Sequence, residues 1–261
     1  PRDPMVPRLT ALGYLCADYT ARVPVLPHRD DRIKAIGIEK TLGGCAANVA
    51  VTAAGLGPPL PVAVDLLSVL GQDPDSDWAV AMLESRRVQL HPLARQHGGG
   101  RLSRCFILVE AQGSRTIVNE PLQVPPATFR RWLAATPRPV GVHGLHLQGD
   151  QVPPLAGLLP RARAHGMRLS MHATGLEPAW RTPAGLTRLR HLFDLVVLNR
   201  DVARDILGPG FAGSTAELVR RAVSLAAAPG AVIVLTLGPE GAVLLEPGEP
   251  PVRAGAPALE P

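Results

Sequence analysis

Aromatic residues are scarce in this chain, where Phe, Trp and Tyr make up 3% of the 261 residues. Because 46% of the residues are nonetheless hydrophobic, we expect a core built mainly of Ala, Val and Leu. No apolar run reaches the roughly 18 residues of a membrane span, and the N-terminal stretch has no uninterrupted apolar segment of signal-peptide type. These absences predict a soluble, cytoplasmic protein without a membrane partner.

Cysteine and lysine are also rare. The three cysteines are Cys16, Cys45 and Cys105, and their odd number and lack of CxxC spacing argue against a disulfide framework or a metal site. Buried, unreactive thiols are the preferred interpretation. Lysine occurs only at Lys34 and Lys40, so scattered arginines carry most of the positive charge behind the net value of +5. No basic run is interleaved with aromatic residues, which argues against a nucleic-acid partner.

Strand-like and helix-like segments alternate through the middle and C-terminal parts of the chain. The strand segments, such as LVVL and VIVLTL, are almost unbroken apolar runs. This pattern predicts an α/β fold in which a mostly parallel sheet is sandwiched by helices. Two extended stretches, about residues 14–24 and 104–118, do not fit the alternation, and we expect them to form a small second sheet. The Pro-rich residues 246–261 predict a loop or linker at the end of a single domain spanning 1–261.

The segment TLGGCAANVAVTAAGLG, from Thr41 to Gly57, places two glycines before a helix of small residues. Glycine lets a backbone turn tightly and approach another group closely. The helix N-terminus adds N–H groups and partial positive charge, and Asn48 lies on its first turn. The residues alone leave two interpretations open: a hydroxyl-binding corner, or a tight turn that packs a helix on a sheet.

From about Leu9 to Leu245, the sequence resembles the ribokinase/PfkB family of carbohydrate kinases in motif order. GYLCADYTARVP resembles the first strand of the family, GGCAANVAVTAAGLG its Gly-Gly signature, and LLSVLGQDPDSDW its Gly-x-Asp-x-x-Gly segment. QGSRTIV resembles the lid hairpin, DLVVLNRDVARDILG the Asn-x-x-Glu segment, and VIVLTLGPEGAVLL the Thr-x-Gly-x-x-Gly nucleotide loop. The resemblance implies a ribokinase-like fold with a small β-sheet lid, and a homodimer formed through that lid.

The resemblance also implies an activity and its residues. The activity is transfer of the γ-phosphoryl group of ATP, with Mg²⁺, to a hydroxyl of a sugar or sugar-like small molecule. The implied sugar-binding residues are Asp18, Gly43, Gly44, Asn48 and Arg115, the last with a solvated hairpin arginine as its alternative. The implied nucleotide-binding residues are Asn199, Thr236, Gly238 and Gly241. Carboxylate and amide groups suit vicinal hydroxyls because both make directional hydrogen bonds.

The sequence departs from the family pattern at several places. Ser76 replaces the second glycine of Gly-x-Asp-x-x-Gly, and Val202 replaces the Glu of Asn-x-x-Glu, with Asp201 beside it. His172 falls near a strand-end Asp or Asn of the family, where a hydrogen-bonded strand-end histidine is the preferred interpretation. The family's Gly-Ala-Gly-Asp motif, which carries its general base, does not occur. We therefore expect the catalytic Asp to lie beyond Pro261 in a longer protein, and this chain by itself to be inactive.

Two alternatives stay open. A non-catalytic sugar- or nucleotide-binding relative of the same fold would account for Val202 and His172. A Rossmann-type nicotinamide enzyme would have a similar sheet, but no Gly-x-Gly-x-x-Gly opens a helix after the first strand, so it ranks last. Ribose, fructose, a sugar acid, a nucleoside and an amino sugar all fit the pattern as acceptors.

Overall fold

The computed structural model describes residues 6–58, 60–91, 100–208, 211 and 213–257. The contacts within the chain define two compact units, the first ending at Ala135 and the second beginning at Thr136. In the part of the chain described, no helix is both long and apolar enough to cross a membrane.

The first unit contains a parallel ladder covered by helices. The strands, in their spatial order, are β1 (Arg8–Leu12), β4 (Ala63–Leu67) and β5 (Val88–Leu90). The helices are α1 (Cys45–Gly55), α2 (Pro74–Ser85) and α3 (Pro126–Ala135). Helix α1 buries Ala46, Ala47 and Ala50 in the same core as Leu66 of β4. These small side chains let the helix backbone lie close to the sheet.

The first unit also contains a separate small sheet. Its strands, in spatial order, are β3 (Gly37–Gly43), β2 (Cys16–Val23), β6 (Ser103–Glu110) and β7 (Arg115–Asn119). The central pair β2–β6 is parallel, and the two outer pairs are antiparallel. The small second sheet predicted from the sequence is therefore present. Strand β3 was not predicted, because most of its residues are exposed and it depends on the ladder with β2 rather than on an apolar pattern.

Asp75, on the first turn of α2, connects this helix to the small sheet. Lys40 Nζ on β3 lies 2.6 Å from Asp75 Oδ1, and Arg104 Nη2 on β6 lies 3.0 Å from Oδ2. The Tyr19 hydroxyl of β2 donates to Oδ2 over 3.3 Å. The hydrogen bond from Lys40, followed by the one from Arg104, lowers the pKa of Asp75. Three strands of the small sheet are thus held to one carboxylate.

Ser76 fits its position although the family pattern has glycine there. The Ser76 hydroxyl accepts a hydrogen bond from the Gly71 N–H at 3.0 Å and donates to the Asp73 carboxylate. Asp73 Oδ1 also accepts from the Leu102 N–H at 3.0 Å. Ser76 is fully buried. Its hydroxyl therefore joins the first turn of α2 to Gly71 and Asp73, and it both accepts and donates a hydrogen bond.

The second unit contains a mixed sheet whose first four strands are parallel. In spatial order these are β8 (His143–Gln148), β9 (Arg168–His172), β10 (Leu195–Asn199) and β11 (Val232–Thr236). The antiparallel strands β12 (Ala242–Leu245) and β13 (Val252–Ala254) follow. The helices are α4 (Val152–Leu155), α5 (Leu159–Ala164), α6 (Pro183–Leu192), α7 (Arg200–Leu207) and α8 (Thr215–Ala226). Strand β13 lies in the segment 246–261 that the sequence predicted to be a loop or linker, and residues 258–261 lie outside the described residues.

Arg190 of α6 is a buried cation, with 6% of its surface exposed. Its guanidinium donates to the carbonyl oxygens of Leu225 and Ala226, each at 2.9 Å, and to those of Ala228 and Ala231. The last carbonyls of a helix have no partner within the helix, and they carry its partial negative charge. Burial lowers the pKa of Arg190. The Arg190 side chain of α6 therefore caps the C-terminal end of α8.

Candidate functional site

The Asp18 carboxylate of β2 lies directly against the backbone of Gly43 on β3. A Cβ atom added at Gly43 would stand 2.1 Å from Asp18 Cγ, 2.1 Å from Oδ2 and 2.2 Å from Oδ1. Because the three distances are nearly equal, the flat face of the carboxylate lies on the Gly43 Cα. Any side chain at position 43 would displace the Asp18 carboxylate. The position of this carboxylate therefore requires glycine at residue 43.

Gly44 is required by a different contact. It has a φ of +104°, and an added Cβ would lie 2.2 Å from the carbonyl oxygen of Tyr14. Gly44 is the N-cap of α1, and its carbonyl accepts from the Asn48 N–H at 2.9 Å. The tight turn predicted for the glycine pair is therefore present at Gly44, and Gly43 makes room for a polar side chain. The hydroxyl-binding corner stays a prediction.

Asn48 lies on the first turn of α1 with its side chain exposed. This turn contains no acidic residue, and no side chain caps the helix. The partial positive charge of the helix N-terminus is thus not offset by a neighbouring carboxylate within the turn. An amide at this position is placed to both donate to and accept from a polar ligand.

Arg115 lies on the same face of the small sheet as Asp18. Asp18 is in register with Cys105 on β6, and Arg115 is in register with Val109, four residues further along that strand. Side chains alternate between faces with a period of two, so the four-residue spacing keeps both on one face. The spacing also separates them by about 13 Å along the strand. The exposed guanidinium is therefore at the far end of the face that carries Asp18.

In the second unit, Asn199 and Thr236 are direct neighbours. They are the last residues of β10 and β11, and they are in register across the parallel ladder. Asn199 Oδ1 accepts from the Val202 N–H at 2.8 Å and so caps α7, while the Thr236 hydroxyl donates to the Leu198 carbonyl at 3.3 Å. Open α/β sheets bind ligands at the carboxyl ends of their parallel strands. The structure thus brings these two predicted residues together at such an edge.

Gly238 and Gly241 shape the loop that follows Thr236. Their φ angles are +64° and +87°, and a Cβ at Gly241 would lie 2.0 Å from the Ala254 carbonyl oxygen. The Leu237 N–H donates to the Gly241 carbonyl at 2.8 Å and closes the loop. Both glycines adopt a conformation that other residues rarely take.

Arg200 and Glu240 hold the same loop, and sequence reasoning missed both. Arg200 Nη2 donates to the Leu237 carbonyl at 2.5 Å and to Glu240 Oε1 at 2.6 Å. The Thr215 hydroxyl donates to the same Glu240 oxygen at 2.9 Å and, together with Arg200, lowers the pKa of Glu240. One signal in the sequence could have predicted this ion pair. Arg200 lies in the Asn-x-x-Glu segment and Glu240 in the Thr-x-Gly-x-x-Gly loop, and their charges are opposite.

Asp150 is a second residue that the sequence did not single out. It lies in the 3-10 turn Gly149–Gln151 that follows β8, at the carboxyl end of the parallel strands. Burial raises its pKa, and a Cβ at Gly175 would lie 3.2 Å from the Asp150 Cβ. A carboxyl group with a raised pKa at this edge is typical of functional sites. The surrounding Gln-Gly-Asp-Gln has the composition of an ordinary turn. For that reason the sequence alone did not indicate a functional role for Asp150.

His172, the last residue of β9, belongs to a hydrogen-bonded row. His172 Nδ1 lies 2.8 Å from His146 Nε2, and His146 Nδ1 lies 2.9 Å from Ser170 Oγ. Burial lowers the pKa of each histidine to about 4, helped in His146 by the neighbouring ring. Both rings are therefore neutral at physiological pH, and His172 is the hydrogen-bonded strand-end histidine expected from the sequence.

The described residues do not fit a protein-held Mg²⁺ ion. Asn199 Oδ1 already accepts from the backbone, and Val202, where the family pattern has Glu, is buried with 3% of its surface exposed. The neighbouring Asp201 is exposed. Within the described ranges, no three or more His, Cys, Asp or Glu side chains are grouped in a way that would hold a metal.

Residues 6–258 match the pfkB family of carbohydrate kinases. The chain belongs to this family, which confirms the resemblance found in its motifs. The match spans both units, including the Asp18–Gly43 contact in the first and the Asn199–Thr236 strand ends in the second.

Several solved structures share the fold. Ribokinase from Giardia lamblia matches with a TM-score of 0.78 at 17% identity, covering 98% of this chain and 77% of that one. Arabidopsis thaliana ribokinase, solved with ribose and ATP, matches at 0.68 and 18%, covering 96% and 78%. The tetrameric inhibited form of Escherichia coli phosphofructokinase-2 matches at 0.71 and 19%, covering 98% and 81%. These likenesses confirm the predicted fold class: ribokinase-like α/β, with a mostly parallel sheet flanked by helices and a separate small sheet.

Proposed function

We propose that this protein acts in the ATP-dependent phosphorylation of a hydroxyl on a sugar or sugar-like small molecule. The observation that carries the proposal is the Asp18 carboxylate seated face-on against Gly43, beside the helix whose first turn presents Asn48. A carboxylate and an amide fixed in this way suit the vicinal hydroxyls of a carbohydrate. Membership of the pfkB family supports the assignment.

The proposed nucleotide-binding residues are Asn199, Thr236, Gly238 and Gly241 of the second unit. Their position at the carboxyl ends of parallel strands supports this role. The Arabidopsis ribokinase was solved with ribose and ATP, so a protein of this fold takes both ligands. Arg115, on the Asp18 face of the small sheet, is proposed as a further substrate-binding residue. We expect Mg²⁺ to bind together with ATP, and we assign no side chain of this chain as its ligand.

The separate roles of the two units can be tested by calorimetry on the purified chain with D-ribose, D-fructose and ADP. Asp18→Asn keeps the shape of the side chain but removes its charge. We expect it to weaken binding of the accepted sugar about 10- to 100-fold, the value of a charged hydrogen bond, and to leave ADP binding unchanged. Gly241→Ala should do the reverse, because its Cβ would meet the Ala254 carbonyl.

Asp30→Asn provides the control, since Asp30 is exposed and its φ of +66° suits Asn as well as Asp. This variant should bind both ligands as the unaltered protein does. Sugar binding that survives Asp18→Asn undiminished would contradict the proposed role of the first unit.

A second candidate is a non-catalytic protein that binds the same ligands. It is favoured by Val202, which is buried where the family pattern has Glu. Sugar-dependent production of ADP from ATP, lost in Asp18→Asn, would support the kinase. Binding of both sugar and ADP without such production would support the second candidate.

We also propose that the small sheet pairs with the same sheet of a second copy of the chain. Ile38, Phe106 and Val118 are exposed by 69%, 55% and 64%. Phe106 is in register with Tyr19 and Val118, and Ile38 with Ala21, so the apolar side chains share the face opposite Asp18. An apolar face of this kind marks an interaction surface. The tetrameric phosphofructokinase-2 shows that a protein of this fold assembles.

Sedimentation of Val118→Asp tests the pairing. We expect the unaltered chain to sediment as a dimer and Val118→Asp as a monomer, because a charge in the centre of an apolar contact loses its hydration. Val140→Asp, at a position 89% exposed in the second unit, is the matched control and should remain dimeric. A monomeric unaltered chain, or a dimeric Val118→Asp, contradicts the proposal.

A further inference from the structure

The Asp18 carboxylate has a hydrogen-bond donor beside it, the thiol of Cys16. Cys16 Sγ donates to Asp18 Oδ1 over 3.0 Å. The two residues are separated by one position on β2, so their side chains lie on the same face. Cys16 is a free cysteine with 1% of its surface exposed. The sequence predicted a buried thiol here, but not that it would contact the sugar-binding acid.

A second thiol lies on the neighbouring strand, in register with Asp18. Cys105 of β6 is in register with Asp18 and is also buried and free. Burial, followed by the charge of Asp18, raises the pKa of Cys105 to about 11. Burial and the hydrogen bond to Asp18 raise the pKa of Cys16 well above its usual value. Both thiols therefore keep their protons at neutral pH, and toward a carboxylate each acts as a donor.

Two independent contacts fix the carboxylate. Gly43 lies against its flat face and sets the plane, as the nearly equal distances show. The Cys16 thiol binds one oxygen and sets the orientation within that plane. A carboxylate offers about four lone-pair positions, so the thiol leaves acceptor positions for a ligand. A plane set by Gly43 alone would still allow Asp18 to turn.

We propose that Cys16 is a positioning residue for Asp18, holding Oδ1 so that the remaining acceptor positions of the carboxylate face the sugar hydroxyls. The hydrogen bond itself is independent of ligand identity, whereas its consequence for sugar binding rests on the proposed function. Loss of the thiol donor should therefore weaken sugar binding and leave nucleotide binding unaffected. Serine should replace cysteine, because it also carries a donating hydrogen on a short side chain.

The hydrogen bond can be tested without a ligand by Raman spectroscopy of the S–H stretching region, where a donating thiol gives a band at lower frequency than a free one. We expect a low-frequency band that disappears in Cys16→Ser and remains in Cys45→Ser. In Asp18→Ala the band should move toward the frequency of a free thiol. A Cys16 band that is unaffected by Asp18→Ala would overturn the proposal.

The consequence for binding is tested by calorimetry with D-ribose, D-fructose and ADP. Cys16→Ala should weaken binding of the accepted sugar about three- to tenfold, the value of one hydrogen bond, while Cys16→Ser stays within about twofold of the unaltered protein. Binding of ADP should be equal in all three. Sugar binding that is unchanged in Cys16→Ala, or weakened equally by Ala and Ser, would overturn the positioning role.

The two measurements separate failure of this inference from failure of the proposed function. If the unaltered chain binds neither sugar, D-ribose and D-fructose are excluded as its ligands, and the Raman band still decides whether Cys16 orients Asp18. If Cys16→Ala does not fold, Cys16→Ser and Asp18→Ala provide the comparison. Circular dichroism of each variant establishes which case applies.

Discussion

Gly44→Ala is expected to lower the free energy of unfolding by more than about 3 kcal/mol, the sum of backbone strain and overpacking costs of this kind. The added Cβ would lie 2.2 Å from the Tyr14 carbonyl oxygen, and the residue would have to keep a φ of +104°. Both obstacles belong to the backbone, so no side-chain rotation relieves them. Urea unfolding followed by circular dichroism measures the loss.

Gly55→Ala is the matched control, at the last residue of the same helix. An added Cβ at Gly55 has open space around it. We expect this variant to be more stable than the unaltered protein by about 0.5–1 kcal/mol, because alanine loses less backbone entropy than glycine in a helix. If Gly44→Ala and Gly55→Ala unfold at the same urea concentration, the close approach of α1 to Tyr14 is wrong.

Arg190→Met should destabilise the second unit by about 2–4 kcal/mol, the cost of leaving buried hydrogen-bond acceptors without donors. Methionine fills much of the same space, but the carbonyls of Leu225, Ala226, Ala228 and Ala231 lose the guanidinium. Hydrogen exchange should then increase first at the C-terminal end of α8. Thermal unfolding of the variant gives the size of the effect.

Arg188→Met separates this effect from a general loss of charge. Arg188 is exposed and lies on the same helix, so its replacement should change stability by less than about 0.5 kcal/mol. Arg190→Lys should fall between the two methionine variants, since an ammonium group keeps the charge but lacks the planar fork of donors. Equal stability of Arg190→Met and Arg188→Met would contradict the role given to Arg190.

Features that depend on local chemistry were predictable from the sequence. Ser214 with Glu217 three residues later is a capping-box pattern, which predicts the start of a helix. Helix α8 begins there, and the Ser214 hydroxyl accepts from the Glu217 N–H at 3.3 Å. The apolar strand runs predicted parallel strands, and such strands end at one edge of a sheet. Asn199 and Thr236 each end such a strand, and the register places them opposite each other.

Features that depend on distant partners were not predictable. Strand β13 consists of exposed residues and exists because β12 offers it a ladder. In the sequence, nothing distinguishes Arg190 from a surface arginine. Its hydrogen-bond acceptors lie at the end of α8, more than thirty residues further along the chain. The composition predicted that Cys16 is buried, but not that its thiol donates to the Asp18 carboxylate. The orientation of that carboxylate depends on Gly43, which pairing of β3 with β2 brings against it.

The row formed by Ser170, His146 and His172 couples the tautomers of two rings. If the Ser170 hydroxyl donates to His146 Nδ1, the proton of His146 is on Nε2 and is donated to His172 Nδ1. His172 then carries its own proton on Nε2. When the Ser170 hydroxyl instead accepts from His146, both rings carry their protons on Nδ1, and Nε2 of His172 has a free lone pair. Conversion between the two states requires one proton to enter the row at Ser170 and one to leave it at His172 Nε2.

The tautomer state of this row therefore decides whether the end of β9 offers a donor or an acceptor. Since both rings are neutral at physiological pH, the exchange changes no net charge. An anionic oxygen beside His172 would select the donor form, and a hydroxyl or ammonium donor would select the other. The same strand end can thus adapt its polarity to what it meets, at the cost of moving protons along a chain of three side chains.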